Sequence, residues 1–282
     1  MAFTIGAGSA ADAHANYLRS DPAPNARLTT APARVLVGFS QAVVAASSGL
    51  ALIASDGRTV ADKSQPTADP TELTLPLPSL ADGVYTVAWN TVSAEDGDPA
   101  KGYFAFTVGA IPPATGAGTT LNAPAQSSVA TTLTVAPLRA GENTYTVVVS
   151  GANGGNVANV IRVRLRITPN DRDIGQSEII LPGDGATFRA SGFELPFAGR
   201  YHIEVQVRRS DTIDDLAFGY DVSVPAAAPS ASPAPVAATS PTAGAVASPA
   251  PGLIPPLETW IAGALLVLLA VVAAIVIARR RA

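Results

Sequence analysis

From about residue 34 to residue 224 the chain alternates apolar and polar positions in short bursts, with no sustained 3.6-residue period. Such bursts at 34–39 (RVLVGF), 49–53, 72–77, 84–89 and 102–108 predict strands, because period-two alternation places one apolar face against a core. The pairs Asp56-Gly57, Asp82-Gly83 and Asp96-Gly97 punctuate them as turns. A second series, at 133–135, 143–149, 160–167, 187–193, 199–207 and 217–224, repeats the pattern. Short strands at this spacing predict an all-β protein of two antiparallel Ig-like β-sandwich domains, residues 14–109 and 120–224, joined by a hinge at 110–119. Within 199–207 the alternation turns Tyr201, Ile203, Val205 and Val207 inward and His202, Glu204 and Gln206 outward, while Trp89 falls in phase with Val87 and Tyr85 as a core residue. The glycines Gly151, Gly154 and Gly155 read as a hairpin rather than a phosphate loop, since no helical pattern follows them.

The ends of the chain follow different rules. Residues 260–278 (WIAGALLVLLAVVAAIVIA) carry no charge and would span about 28 Å as a helix, close to the roughly 30 Å hydrocarbon core of a bilayer. Trp260 stands at one end as an interfacial anchor and Arg279, Arg280 and Arg281 at the other. Residues 257–278 are therefore expected to form one C-terminal transmembrane helix, with a cytoplasmic arginine tail at 279–282 and the sandwiches outside the cell membrane. Residues 225–256, rich in Pro, Ala and Ser and free of charge, read as an extended stalk. Residues 1–13 end in Ala11-Asp12-Ala13, the small-residue pattern that precedes signal-peptidase cleavage, and are expected to be a signal-peptide remnant cut ahead of His14.

Composition narrows the chemistry. The 282 residues contain no Cys, two His and one Met, and that Met is Met1. Disulfides, zinc-thiolate sites and cysteine nucleophiles are thereby excluded. A net charge of −4 argues against a nucleic-acid partner. No Gly-x-Ser-x-Gly elbow is present, and a copper oxygenase brace would need a second imidazole that the first block does not contain. A non-enzymatic protein is expected.

The segment His14-Ala15-Asn16-Tyr17-Leu18-Arg19-Ser20-Asp21-Pro22-Ala23-Pro24-Asn25-Ala26, then Phe39-Ser40-Gln41-Ala42-Val43, resembles the start of CopC-type copper-resistance domains. Gly83 to Trp89, Val92-Ser93-Ala94-Glu95-Asp96-Gly97-Asp98-Pro99 and Gly102 to Val108 resemble the same family's end, so the likeness runs over residues 14–108. Pro137, Gly141-Glu142-Asn143 and the run Gly199 to Val205 make the second block similar to YtkA-like domains. The first resemblance implies a Cu(II) site made by the α-amine and ring of an N-terminal histidine together with the Asp and His of an Asp-Gly-His turn. These positions fall on His14, Asp96 and Asp98, with Asp98 where the family carries its second histidine and Glu95 as a substitute carboxylate. Amine, imidazole and carboxylate suit tetragonal Cu(II). A Met-rich Cu(I) site has no counterpart here. The implied partners are a copper ion, the membrane through one C-terminal helix, and a CopD-like membrane protein. Two functions stay open: a copper carrier for homeostasis or resistance, and a structural or interaction module of the same fold without useful metal affinity.

Overall fold

The computed structural model describes residues 15–111 and 116–226. Among these residues every regular element is a strand. His14, the expected signal remnant, and nearly all of the stalk, with the membrane span and the arginine tail, lie outside the described residues. No helix among the described residues is long and apolar enough to cross a membrane.

The first sandwich uses β1 (Tyr17–Asp21), β2 (Arg27–Leu28), β3 (Arg34–Phe39), β4 (Gly49–Ala54), β5 (Thr59–Ala61), β6 (Gln65–Pro66), β7 (Glu72–Pro76), β8 (Gly83–Val92) and β9 (Pro99–Val108). They form two sheets, ordered β1-β3-β7-β6 and β2-β9-β8-β4-β5. Val35, Val37 and Leu75 of one sheet meet Leu52, Val87 and Phe106 of the other in a dry core. The second sandwich uses β10 (Thr119–Asn122), β11 (Val129–Ala136), β12 (Gly141–Gly151), β13 (Val160–Pro169), β14 (Ser177–Leu181), β15 (Gly183–Asp184), β16 (Thr187–Leu195), β17 (Gly199–Arg209) and β18 (Leu216–Val224). Its sheets run β10-β11-β12-β16-β15 and β14-β13-β17-β18, closed over Leu133, Tyr145, Leu165 and Ile203.

Within the sheets pairing is antiparallel except between β2 and β9, which run parallel at Arg27 and Leu28. The expected strands are present, most of them longer than their apolar bursts. The strand β1 was not expected because YLRSD shows no apolar alternation, and its burial as an edge strand is shallow. One expectation is corrected. Gly151 to Gly155 does form a tight turn, with Gly151 N–H donating to Gly155 O at 2.7 Å, but it is not a hairpin. Strands β12 and β13 belong to different sheets, so the turn carries the chain across the sandwich. Sequence shows that a turn exists; which sheet the next strand joins is set by the packing of both faces.

The two sandwiches belong to one compact unit. Strand β9 accounts for much of this. Phe104, Phe106 and Val108 face its own core, while Tyr103, Ala105 and Thr107 on the other face are also buried. Ala105 and Val84 pack on Phe193 of β16, with Ile111 beside them. The Tyr103 N–H donates to Gln176 O at 3.2 Å, and a parallel bridge joins Gly102 to Gln176, so backbone pairing crosses the junction. Glycine is required at 102 because a Cβ there would sit 2.6 Å from the Trp89 ring and 2.8 Å from the Gln176 carbonyl. Gly102→Ala should therefore weaken the junction by about 1–3 kcal/mol while leaving both cores folded. Faster hydrogen exchange at the Tyr103 and Phe193 amides, with unchanged exchange in β12 and β13, is the expected result.

Candidate metal centre

Asp96 and Asp98 lie in the connection between β8 and β9. The connection is closed by Ser93 N–H donating to Asp98 O at 3.0 Å and Gly97 N–H donating to Ser93 O at 3.0 Å. Gly97 takes a φ of 80°, the left-handed region that glycine enters without steric cost. The Asp96 Oδ1 accepts the Asp98 backbone N–H at 3.1 Å, so one carboxylate oxygen helps shape the turn. Glu95 is exposed, and its own N–H donates to the Ser93 hydroxyl oxygen at 3.2 Å.

The described chain begins at Ala15, the residue that follows His14. Ala15 is 0% exposed, and its carbonyl accepts a hydrogen bond from the Thr91 hydroxyl at 3.0 Å. Asn16 is held on both sides, its N–H donating to Ser40 Oγ at 3.1 Å and its carbonyl accepting from Ser40 N–H at 2.8 Å. The same short loop holds the turn. Ala94 N–H donates to Ala42 O at 2.9 Å, Ser93 Oγ donates to Gln41 Oε1 at 3.1 Å, and Val43 bridges Ser93. The loop 40–44 thus fastens the start of the described chain and the aspartate turn to one end of the sandwich. Sequence marked these residues only as part of a resemblance; their role as a clamp needed the fold.

Among the described residues no group of three His, Cys, Asp or Glu side chains is placed to hold a metal ion. The structure brings Asp96 and Asp98 into one turn, and His14 lies outside the described residues. The donors expected from the sequence are one imidazole, the α-amine of His14 once it is an N-terminus, and carboxylates. That donor set fits Cu(II). His202 stands apart, on the outer face of β17, with Nδ1 2.9 Å from Asp221 Oδ1 on β18. Trp89 is half-buried and packs edge-on to Phe39 at 5.7 Å between ring centroids.

Beside this end of the sandwich a cleft of about 650 Å³ opens between the two sandwiches. Asn16, Pro99 and Ala100 line one wall and Arg164, Arg166 and Glu178 the other. The two arginines are held by Glu178, with Arg166 Nε 2.8 Å and Arg164 Nη1 3.3 Å from its carboxylate. Glu194, which no local sequence pattern marks, also lines the cleft. Glu194 is 5% exposed, and its Oε1 accepts from Asn25 Nδ2 at 2.9 Å. Asn25 has a φ of 62°, in the left-handed region that Asn tolerates better than most residues. Its Oδ1 then accepts the Phe193 N–H at 2.9 Å, so one side chain binds both backbone and carboxylate of β16. The Tyr103 hydroxyl adds a bond to the Glu194 carbonyl at 2.7 Å.

Burial pushes the Glu194 carboxyl up from its ordinary value, against a partial lowering by the Asn25 bond. Tyr145 is the neighbouring hydroxyl that acts on it, yet neither that hydroxyl nor Glu194 Oε2 completes a well-formed hydrogen bond. Burial likewise drives Tyr103 and Tyr145 well above the usual phenol range and Tyr201 up to about 12. Exposed ion pairs, Arg27 with Glu142 and Lys101 with Asp173, frame the junction. At the surface each contributes at most about 1 kcal/mol.

The fold and this end of it define a class: a β-sandwich with its N-terminal segment clamped beside a hairpin turn of aspartates, fused to a second sandwich. Residues 17–109 match the CopC domain model. The chain is 36% identical over 101 residues to Protein YobA of Escherichia coli K12, covering 34% of this chain and 79% of that protein, and matches Protein YobA of Shigella flexneri to the same extent. It therefore belongs to the CopC family. Among solved structures it is similar to CopC from Methylosinus trichosporium OB3b, at 32% identity, 34% of this chain, 93% of the other and a TM-score of 0.33. It is also similar to PcoC, a copper resistance protein from Escherichia coli, at 28% identity, 33% of this chain, 98% of the other and a TM-score of 0.31.

Glu194 gives a signed pH dependence. Its folded pKa is raised, so the native state holds the proton more tightly than the unfolded chain, whose value is about 4.5. The stability contributed by the neutral acid is complete below that value and is lost as pH rises through the folded pKa. Glu194→Gln should flatten the thermal stability profile above about pH 4.5, where the wild type declines. Parallel wild-type and variant profiles in calorimetry would refute this.

Proposed function

We propose that the protein is an extracytoplasmic copper-binding protein, anchored to the cell membrane by residues 257–278, that carries Cu(II) for copper homeostasis or resistance. Cleavage after Ala13 makes His14 the N-terminus, and its α-amine and imidazole bind Cu(II) with the carboxylates of Asp96 and Asp98. The observation that carries this reading is the clamp at loop 40–44. It ties Asn16, two residues after His14 in the chain, and the turn 93–98 to one place. Family membership supports the same reading. The second sandwich, read from its sequence as YtkA-like, and a CopD-like membrane partner complete the proposal. No catalytic step is assigned.

A metal-incompetent interaction module is the competing reading, favoured by Asp98 standing where the family carries a histidine. One experiment separates them. The chain beginning at His14 is expected to take up one Cu(II) in calorimetry, whereas the same chain with one residue added before His14 should bind at least tenfold more weakly, because the terminal amine is lost. Binding should fade in mild acid, since imidazole (about 6.5) and amine (about 7.7–8.0) must be deprotonated to coordinate. His202→Ala should change nothing. Equal binding by native and extended termini, or none by either, would establish the interaction module.

A further inference from the structure

Strand β8 changes character along its inward face. Successive same-face positions read Tyr85, Val87, Trp89, Thr91 and then Ser93 just beyond the strand, an apolar stripe that ends in two hydroxyls. Thr91 is 1% exposed and Ser93 0% exposed. Packing alone would be served at position 91 by valine, which has the same shape and equal strand preference. A buried hydroxyl is retained only where it has a partner, and the partners here are specific. Thr91 Oγ1 donates to the carbonyl of Ala15, 76 positions earlier in the chain, at 3.0 Å, with a longer approach to Ala100 O at 3.4 Å. Ser93 Oγ donates to Gln41 Oε1 at 3.1 Å and accepts the Glu95 N–H at 3.2 Å, which sets the first residues of the turn bearing Asp96 and Asp98.

We propose that Thr91 and Ser93 are positioning residues for the copper site, one fixing the chain next to His14 and the other fixing the aspartate turn. This rests on the copper reading above and extends it. Thr91 near the end of β8 and Ser93 just beyond it stand two residues apart on one face, so the spacing between the Ala15 contact and the start of the aspartate turn is set by the extended backbone there. Pre-arranged ligands bind more tightly because less ordering accompanies coordination. A site with carboxylate in place of a second imidazole has the greater need of such support, as carboxylate fixes its own orientation less firmly.

The test uses the full chain beginning at His14, titrated with Cu(II) alone and followed by calorimetry and electron paramagnetic resonance. Thr91→Val should weaken Cu(II) roughly tenfold, the range in which outer-shell support of a metal site operates. It should also replace one sharp copper spectrum by a mixture, while Thr91→Ser restores both. Ser93→Ala should act in the same direction, and the double variant should lose less than the sum if both set one distance. In the metal-free protein, Thr91→Val should speed hydrogen exchange at Asn16 and leave Val87 unchanged. Wild-type affinity and a single sharp spectrum in Thr91→Val, with copper still bound, would overturn the positioning role and leave the copper reading standing. Should Thr91→Val fail to fold, the same criteria apply to Ser93→Ala. Absence of copper binding by the wild-type chain, with its N-terminus verified, would overturn both.

Discussion

Strand β9 is covered on both faces, and the described unit is organised around that constraint. A strand buried on one face alternates apolar and polar residues, whereas one buried on both must find partners for every side chain. Gly102 to Val108 meets this by facing Phe104 and Phe106 into its own sandwich and by lending Tyr103 and Ala105 to the neighbouring sandwich. Polar groups on the shared face are then satisfied across the junction, the Tyr103 hydroxyl by the carbonyls of Ile167 and Glu194. Because β9 also pairs with β8 along its whole length, the aspartate turn between them is borne on an element that the second sandwich immobilises.

The junction carries a polar centre that could not be built in one sandwich alone. Asn25 bonds to the Phe193 N–H and to the Glu194 carboxyl together, and so measures the position of β16 against the first sandwich at two points. Burying a carboxyl costs several kcal/mol unless it is neutral or paired. Here burial favours the neutral form, and the surrounding tyrosines are themselves held un-ionised. The ion pairs at the rim, by contrast, lie in water and set orientation more than strength.

The clamp at loop 40–44 links this mechanical frame to the chemistry proposed for the chain. Ser40 receives Asn16, Gln41 and Ala42 receive the turn, and Thr91 reaches Ala15 from the opposite sheet. None of these residues is a metal donor of any strength. Their function is geometric: they reduce the freedom of two segments that are distant in sequence.

Sequence by itself determined the all-β class, most strand positions and the outward face of His202, because period-two burial writes itself directly into residue order. It also placed Asp96, Gly97 and Asp98 in a turn, since the left-handed glycine and side-chain-to-backbone bonding are local effects. Tertiary structure decided what depends on contacts between remote residues. The continuous burial of 102–108 was visible as an apolar run, but its second face could be explained only once Phe193 and Ala105 were seen in contact. Asn25, Glu194 and Thr91 look like ordinary polar residues in the chain. Each acquires its role from a partner 76 to 169 positions away, and no local pattern encodes such a pairing.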